Sequence, residues 1–388
     1  MSHLSQKDTS PKVAWLLQVA GDYWQPIMSE FSRLFPNTMV FTAKWPGFLK
    51  GFEDSFGVQQ VGDIKVVSLS NSPAHKGYGK TWTYLSPVIV KYLIQFSPSV
   101  IFSTGFSIWT IAALALKVVK RWKVVIVYDG SSPSVDYSKS WLRLFIRRVM
   151  IHFTDAIITN SKAGKDYLLS VLGAKKETVF ARPYLVPHLE AYKQQQECQE
   201  NLVQNLQRPI FSYAGSIIPR KGVYELLQAC VLLKNQGFTQ YSLMLIGQGE
   251  QRSELEEFVQ KHGLTEQVHW IGQVKYEHVG EFLETSDVFV FPTLEDVWGL
   301  VVVEAMMLGK PILCSKWAGV SELVIDRENG YVFDPHQPED LTKLLIELIK
   351  QPELIESMGT RSKEIMESHS ISNVSNSLAE VVEFVLNY

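Results

Sequence analysis

At 388 residues, 46% of them hydrophobic and 20% charged, the chain falls in the ordinary globular range. It is long enough for two domains of roughly 150–200 residues each. Three cysteines, Cys198, Cys230 and Cys314, lie far apart; they match neither a disulfide framework nor metal-ligand spacing, which predicts a reducing, cytoplasmic setting. The net charge of −3 covers an asymmetry, because residues 1–185 hold 22 Lys and Arg against 11 Asp and Glu while residues 186–388 hold 15 against 29. A basic half suits an anionic partner, a membrane face, a phosphorylated acceptor or a nucleic acid, or it is solvated charge that happened to segregate.

The opening residues carry one short apolar run, 13–20, with neither a basic leader nor a small-residue cleavage site, so no export signal is predicted. Short β-rich runs at 13–20, 38–43, 65–69, 99–104, 123–128, 156–160 and 178–181 alternate with helical patterns. That rhythm predicts βαβ units on a parallel sheet. The uncharged stretch 96–116 approaches the length of a membrane span, but Pro98, Gly105 and several Ser and Thr divide it. We read a strand at 99–104 followed by a buried helix over 107–121. A further helix, 139–153, sets Lys139, Arg143 and Arg147 on one stripe with Trp141, Leu142, Phe145, Ile146 and Val149 elsewhere. Such a helix either lies on an anionic membrane surface or turns its basic stripe to water.

The rhythm breaks after Pro187, where a polar, Gln- and Glu-rich stretch precedes a second series of strands at 209–214, 241–246, 268–271, 288–291 and 311–314. From residue 339 onward the pattern is helical, with no strand candidate. The predicted architecture is α/β, with a Rossmann-like domain over 1–187, a linker over 188–208, a second Rossmann-like domain over 209–365, and a C-terminal helix over 366–388 that returns to the first domain. Ligands of such sheets bind beyond the carboxyl ends of the strands, so a site between the domains is expected.

Two stretches carry chemistry. In 214–222, between a strand and a helix, a glycine at 215 lets backbone approach a ligand, and Arg220 and Lys221 are a cationic pair suited to a diphosphate. In 291–311, a strand ends at Phe291, an acidic loop follows, and a helix begins near Gly299 with its N-terminal amides toward the same sheet edge. Asp296 sits in that loop and Glu304 one turn into the helix. Both carboxylates are suited to accept hydrogen bonds from sugar or ribose hydroxyls, or they are a helix cap and a surface residue.

Taken with 309–311 (Gly-Lys-Pro), 319–322 (Gly-Val-Ser-Glu) and 328–335, these residues resemble the donor-site signature of the retaining GT-B glycosyltransferases, glycosyltransferase family 4, also described as glycosyl transferases group 1. The resemblance implies a GT-B fold and transfer of a sugar from a nucleotide-diphosphate sugar, UDP- or GDP-linked, to a lipid-linked or polysaccharide acceptor with retention of anomeric configuration. It implies that Arg220 and Lys221 hold the diphosphate, that Glu304 holds the ribose hydroxyls, and that Asp296 takes the place of the glutamate that touches the donor sugar. Gly299 and Leu300 would offer amides to phosphate or sugar, Gly215 and Ser216 would line the phosphate loop, and backbone near Gly272 and Gln273 would meet the base. No metal or other cofactor is implied, and no nucleic-acid partner is expected, since the basic half carries no recognisable nucleic-acid-binding module or clustered aromatic-basic motif.

The chain departs from the family where Ser216 replaces a common arginine and where Asp296 is one methylene shorter than glutamate, with Glu295 beside it as a competitor. In the first half, Asp129 falls at the carboxyl end of a predicted strand, placed to touch acceptor or donor sugar, or it is a turn-forming Asp-Gly. Rival readings are a catalytically silent scaffold that binds a nucleotide sugar or a partner, and an epimerase of the same fold.

Overall fold

A computed structural model describes residues 10–68, 81–187 and 206–387. Strands of the first half are β1 (Val13–Val19), β2 (Thr38–Lys44), β3 (Gly57–Gln60), β4 (Lys65–Ser68), β5 (Thr81–Tyr84), β6 (Val100–Thr104), β7 (Lys123–Tyr128), β8 (Ala156–Thr159) and β9 (Val179–Ala181). Seven of them form a parallel sheet in the order β3-β2-β1-β6-β7-β8-β9. Strand β4 departs from expectation: it pairs antiparallel with β5 in a separate ribbon. A parallel partner requires a crossover connection, whereas an antiparallel one does not. Helices α1 (Gln25–Leu34), α2 (Ile89–Phe96), α3 (Ile108–Lys120), α4 (Pro133–Asp136), α5 (Trp141–Phe153) and α6 (Lys162–Asp166) connect these strands.

The second half contains β10 (Ile210–Ala214), β11 (Ser242–Ile246), β12 (Val268–Gly272), β13 (Val288–Phe291), β14 (Ile312–Ser315) and β15 (Gly330–Phe333), all parallel, in the order β12-β11-β10-β13-β14-β15. Its helices are α7 (Val223–Asn235), α8 (Arg252–Lys261), α9 (Tyr276–Thr285), α10 (Leu300–Met307), α11 (Pro338–Lys350), α12 (Glu353–Glu367) and α13 (Ile371–Asn387). The class is α/β with two Rossmann-like sheets, as the alternation predicts. The final helix crosses back to the first sheet: α13 packs on α1, Phe384 lies edge-on against Phe180, and Glu380 pairs with Arg182 at 2.6 Å. Under α1 the core is aromatic, with Trp15 stacked on Phe102 at 4.2 Å and Phe31 set edge-on to Trp15. Most of the polar stretch 188–208, with Cys198, lies outside the described residues.

Two helices differ from their sequence reading. The stretch 107–121 reads as buried because it is apolar on every side, yet only one face of α3 meets the sheet, and Val118 and Val119 stand 78% and 76% exposed. The basic helix begins at Trp141, so Lys139 precedes it, and Arg147 turns inward at 8% exposure. Its guanidinium donates to the carbonyls of Val135 and Asp136 and to the Tyr167 hydroxyl, and lies over the Phe106 ring. What α5 shows to solvent is instead apolar, with Trp141 78% and Phe145 60% exposed. Among the described residues no helix is long and apolar enough to cross a membrane.

The strand order places the site. In the second sheet the chain builds outward from β10 to β12, then returns to the other side of β10 with β13. The connections out of β10 and β13 therefore leave toward opposite sides of the sheet, and the carboxyl edge at this switch point is where ligands of such sheets bind. The corresponding switch point of the first sheet lies between β1 and β6, one strand from the loop that carries Asp129.

Candidate functional site

The loop after β10 closes in a short 3-10 turn over Pro219–Lys221 and ends at Gly222, whose φ of +70° is left-handed. A Cβ there would also stand 2.0 Å from the Pro292 carbonyl oxygen. Glycine thus lets the two loops touch, and the amide of Leu294 donates to the Arg220 carbonyl at 2.8 Å. The contact sets Lys221 beside Asp296: its Nζ lies 2.5 Å from Asp296 Oδ2, over the face of Phe291 at 5.2 Å. Arg220 Nη1 reaches the same carboxylate oxygen at 3.5 Å and donates to the Glu295 carbonyl at 2.7 Å. Burial pushes the Asp296 carboxyl up, but Lys221 and Arg220 outweigh it and hold the group below its ordinary value.

Helix α10 starts at the far lip of the crevice. Its N-cap, Gly299, has φ +118° and packs so closely that a Cβ would meet the Phe291 ring at 2.8 Å. Lacking a side chain, Gly299 leaves the first turn to backbone, which gives the crevice the positive end of a helix dipole. Leu300 opens that turn. Glu304, one turn further, is 3% exposed and accepts the Tyr276 hydroxyl at 2.8 Å. It is not the surface residue that its helical position allowed. Gly215 and an exposed Ser216 follow β10; Gly272 closes β12, its carbonyl accepting from Gly247 at 2.7 Å, and Gln273 is exposed beyond it. The structure therefore gathers Gly215, Ser216, Arg220, Lys221, Gly272, Gln273, Asp296, Gly299, Leu300 and Glu304 along the carboxyl edge of one sheet.

Two predicted residues take other partners. Glu295 points out of the crevice to the first domain, where its carboxylate accepts both the amide and the hydroxyl of Ser134 at 2.7 Å each. Asp129 faces it from the other sheet. Its Oδ1 accepts the Tyr184 hydroxyl at 2.6 Å, and Asn160 braces both residues, donating to the Asp129 carbonyl and accepting from the Tyr184 amide. The Asp129 side chain stays accessible to water, yet enough protein surrounds it that lost hydration raises its carboxyl pKa, opposed only in part by the Tyr184 bond. The next residue, Gly130, comes so near the Val297 carbonyl that a Cβ would lie at 2.3 Å. Asp129 and Asp296 thus sit on loops that touch across one cleft. A second carboxylate, Glu322, crosses the cleft to accept the Lys162 amide at the start of α6.

Sequence reasoning missed Ser134, Tyr184 and Tyr276. Only Ser134 carries a local signal, since Ser132-Pro133 is a helix start whose first amides seek an acceptor. The two tyrosines become partners only through tertiary folding.

Two family models match the chain: residues 33–183 match "Glycosyltransferase Family 4" and residues 194–365 match "Glycosyl transferases group 1". The two matches adjoin along the chain, and the fold is of the GT-B type. It is 31% identical over 158 residues to an uncharacterized glycosyltransferase of Methanocaldococcus jannaschii, covering 41% of this chain and 43% of that one. It is 23% identical to the capsular polysaccharide biosynthesis glycosyltransferase CapM of Staphylococcus aureus, over 69% of this chain and 67% of CapM. The chain spans about half the length of the first curated relatives it matches, between 43% and 57%. Among solved structures, Anabaena HepE in complex with UDP superposes with a TM-score of 0.74 over 96% of this chain and 99% of that one, at 17% identity.

Proposed function

We propose that this protein transfers a sugar from a nucleotide-diphosphate sugar to an acceptor, with retention of configuration at the anomeric carbon. The observation that carries the reading is the convergence of Lys221 and Arg220 on one oxygen of Asp296, at the topological switch point and beside the start of α10. Two cations and a helix N-terminus, held ready around a single counter-charge, are built for a diphosphate. UDP is the first nucleotide to test, because HepE, a protein of the same fold, is solved with it.

In this reading the C1–diphosphate bond lengthens toward Arg220, Lys221 and the α10 amides, which stabilise the departing charge without a metal ion. The acceptor hydroxyl approaches on the face the diphosphate leaves, and its proton passes to the leaving oxygen as the new bond forms. Asp296 and Asp129, from opposite walls of the cleft, orient sugar and acceptor hydroxyls, and Glu304 holds the ribose.

Thermal unfolding against UDP, GDP, ADP and their sugar conjugates tests the reading. A nucleotide at 100 times its dissociation constant adds about 2.7 kcal/mol of stability. One nucleotide should shift the wild type and leave Lys221→Ala unshifted; no shift with any of them overturns the donor site. Binding without release of nucleoside diphosphate in the presence of acceptor marks the silent scaffold.

A second feature bears on the acceptor. Adjacent helices α3 and α5 present Ile108, Ile111, Val118, Val119, Trp141, Leu142, Phe145, Ile146, Val149 and Phe153 to solvent, flanked by exposed Lys120, Arg121, Lys139 and Arg148. We propose that this face rests on an anionic membrane, which would bring the cleft to a lipid-linked acceptor on the cytoplasmic side. Co-sedimentation with phosphatidylglycerol vesicles, present in the wild type, tests it.

A further inference from the structure

We propose that Tyr276 is the positioning residue for the donor ribose, setting the plane of the Glu304 carboxylate through the bond from its hydroxyl. The inference rests on the donor-site reading given above and names a residue which that reading does not use. Glu304 is almost completely withdrawn from water, and a carboxylate so placed needs its charge met by donors. Tyr276 supplies one at 2.8 Å to Oε1. A hydrogen bond to one oxygen stops rotation about the terminal C–C bond, so the lone pairs that would meet two ribose hydroxyls are aimed before the nucleotide arrives.

The place of Tyr276 in the chain gives the bond its meaning. It is the first residue of α9, directly after the turn 272–275 that follows β12. Gly272 in that turn holds φ +85° and is tied to the β11 loop through Gly247. The turn proposed to meet the base and the carboxylate proposed to meet the ribose are therefore linked through one short segment ending in a phenol.

The same domain supplies its own control. Tyr331 donates to Glu347 Oε1, also at 2.8 Å, between β15 and α11 and away from the crevice. Loss of that bond removes a tyrosine–glutamate pair of equal length without touching the site.

The test compares UDP, GDP and ADP with their 2′,3′-dideoxy counterparts on the full chain by calorimetric titration, in the wild type, Tyr276→Phe, Tyr331→Phe and Glu304→Gln. In the wild type the ribose hydroxyls should strengthen binding of the preferred nucleotide. Tyr276→Phe should weaken the ribonucleotide about tenfold, the size of one hydrogen bond to a charged group, and leave the dideoxy form unchanged. Tyr331→Phe should alter neither. If Tyr276→Phe leaves the ratio of the two affinities at the wild-type value, whether both fall together or neither falls, the inference is overturned alone. Absence of any nucleotide binding to the wild type, or a Glu304→Gln variant that binds with unchanged ribose discrimination, overturns the donor reading and the inference with it.

Discussion

Glu295 and Ser134, 161 residues apart in sequence, join the two domains across the cleft by two hydrogen bonds of 2.7 Å. The donors are the amide and hydroxyl at the start of α4, so the carboxylate also meets the positive end of that short helix. Glu295 is followed directly by Asp296, and its own carbonyl accepts from Arg220. The residue that closes the cleft is thus braced by a cation proposed to hold the donor.

Glu295→Ala should loosen closure without removing the donor site. Each hydrogen bond to a carboxylate is worth about 1.5–3 kcal/mol, so the loss of two shifts the balance between closed and open forms by about 100-fold or more. Small-angle scattering should report a larger radius of gyration, while the nucleotide-induced thermal shift persists. Loss of that shift would instead make Glu295 a donor ligand.

The ion pair at the crevice predicts an acid dependence. Asp296 has a folded pKa below its ordinary 3.8, so its contribution to stability is complete above that value and is lost as pH falls through the lower, folded one. Asp296→Asn should flatten the acid limb of a stability–pH curve. Lys221→Ala takes the nearest cation from the buried carboxylate, leaving Arg220 at 3.5 Å and the Trp298 amide among its partners, and should cost about 3 kcal/mol. Asparagine at 296 in that background should restore much of the stability and none of the nucleotide binding, as denaturant unfolding and titration would record.

The fold, and the gathering of the charged loop residues at one sheet edge, were legible in the sequence for a physical reason. Parallel strands buried on both faces are written as continuous apolar runs, and phosphate loops as local patterns of glycine and cation between a strand and a helix. Arg220, Lys221, Asp296 and Glu304 all belong to such patterns. Ser134, Tyr184 and Tyr276 do not, since each acts on a residue from another element. Arg147 shows the converse failure: helical spacing put it on an outward stripe, and tertiary partners turned it in.

Asp129 should show stability traded for function. Its side chain still meets water, but the protein around it strips enough hydration to raise its pKa from the ordinary 3.8, so the folded state holds its proton longer than the unfolded chain, and stability present below the unfolded value is lost as pH rises through the folded one. Asp129→Asn keeps an acceptor for Tyr184 and removes this titration. At neutral pH the variant should melt higher than the wild type, with the difference growing from acid upward, while transferase activity falls. Equal melting temperatures across pH would mean that the carboxyl carries no such penalty.

The exposed face of α3 and α5 separates an apolar mode of membrane contact from an electrostatic one. With Arg147 turned inward, the contact is left chiefly to aromatic rings, and Lys120, Arg121, Lys139 and Arg148 act only at the rim. Burying a ring as exposed as Trp141 or Phe145 is worth about 2 kcal/mol, so replacing either with glutamate should lower vesicle partitioning roughly 30-fold. Rim charges contribute about 1 kcal/mol each near an anionic surface and are screened within a Debye length. Wild-type binding to phosphatidylglycerol vesicles should therefore weaken at high salt but survive it, whereas Trp141→Glu with Phe145→Glu should abolish it and leave nucleotide binding intact. Binding that salt removes entirely would restore the basic-stripe reading, and a concentration-dependent dimer that excludes vesicles would assign the face to a second copy of the chain.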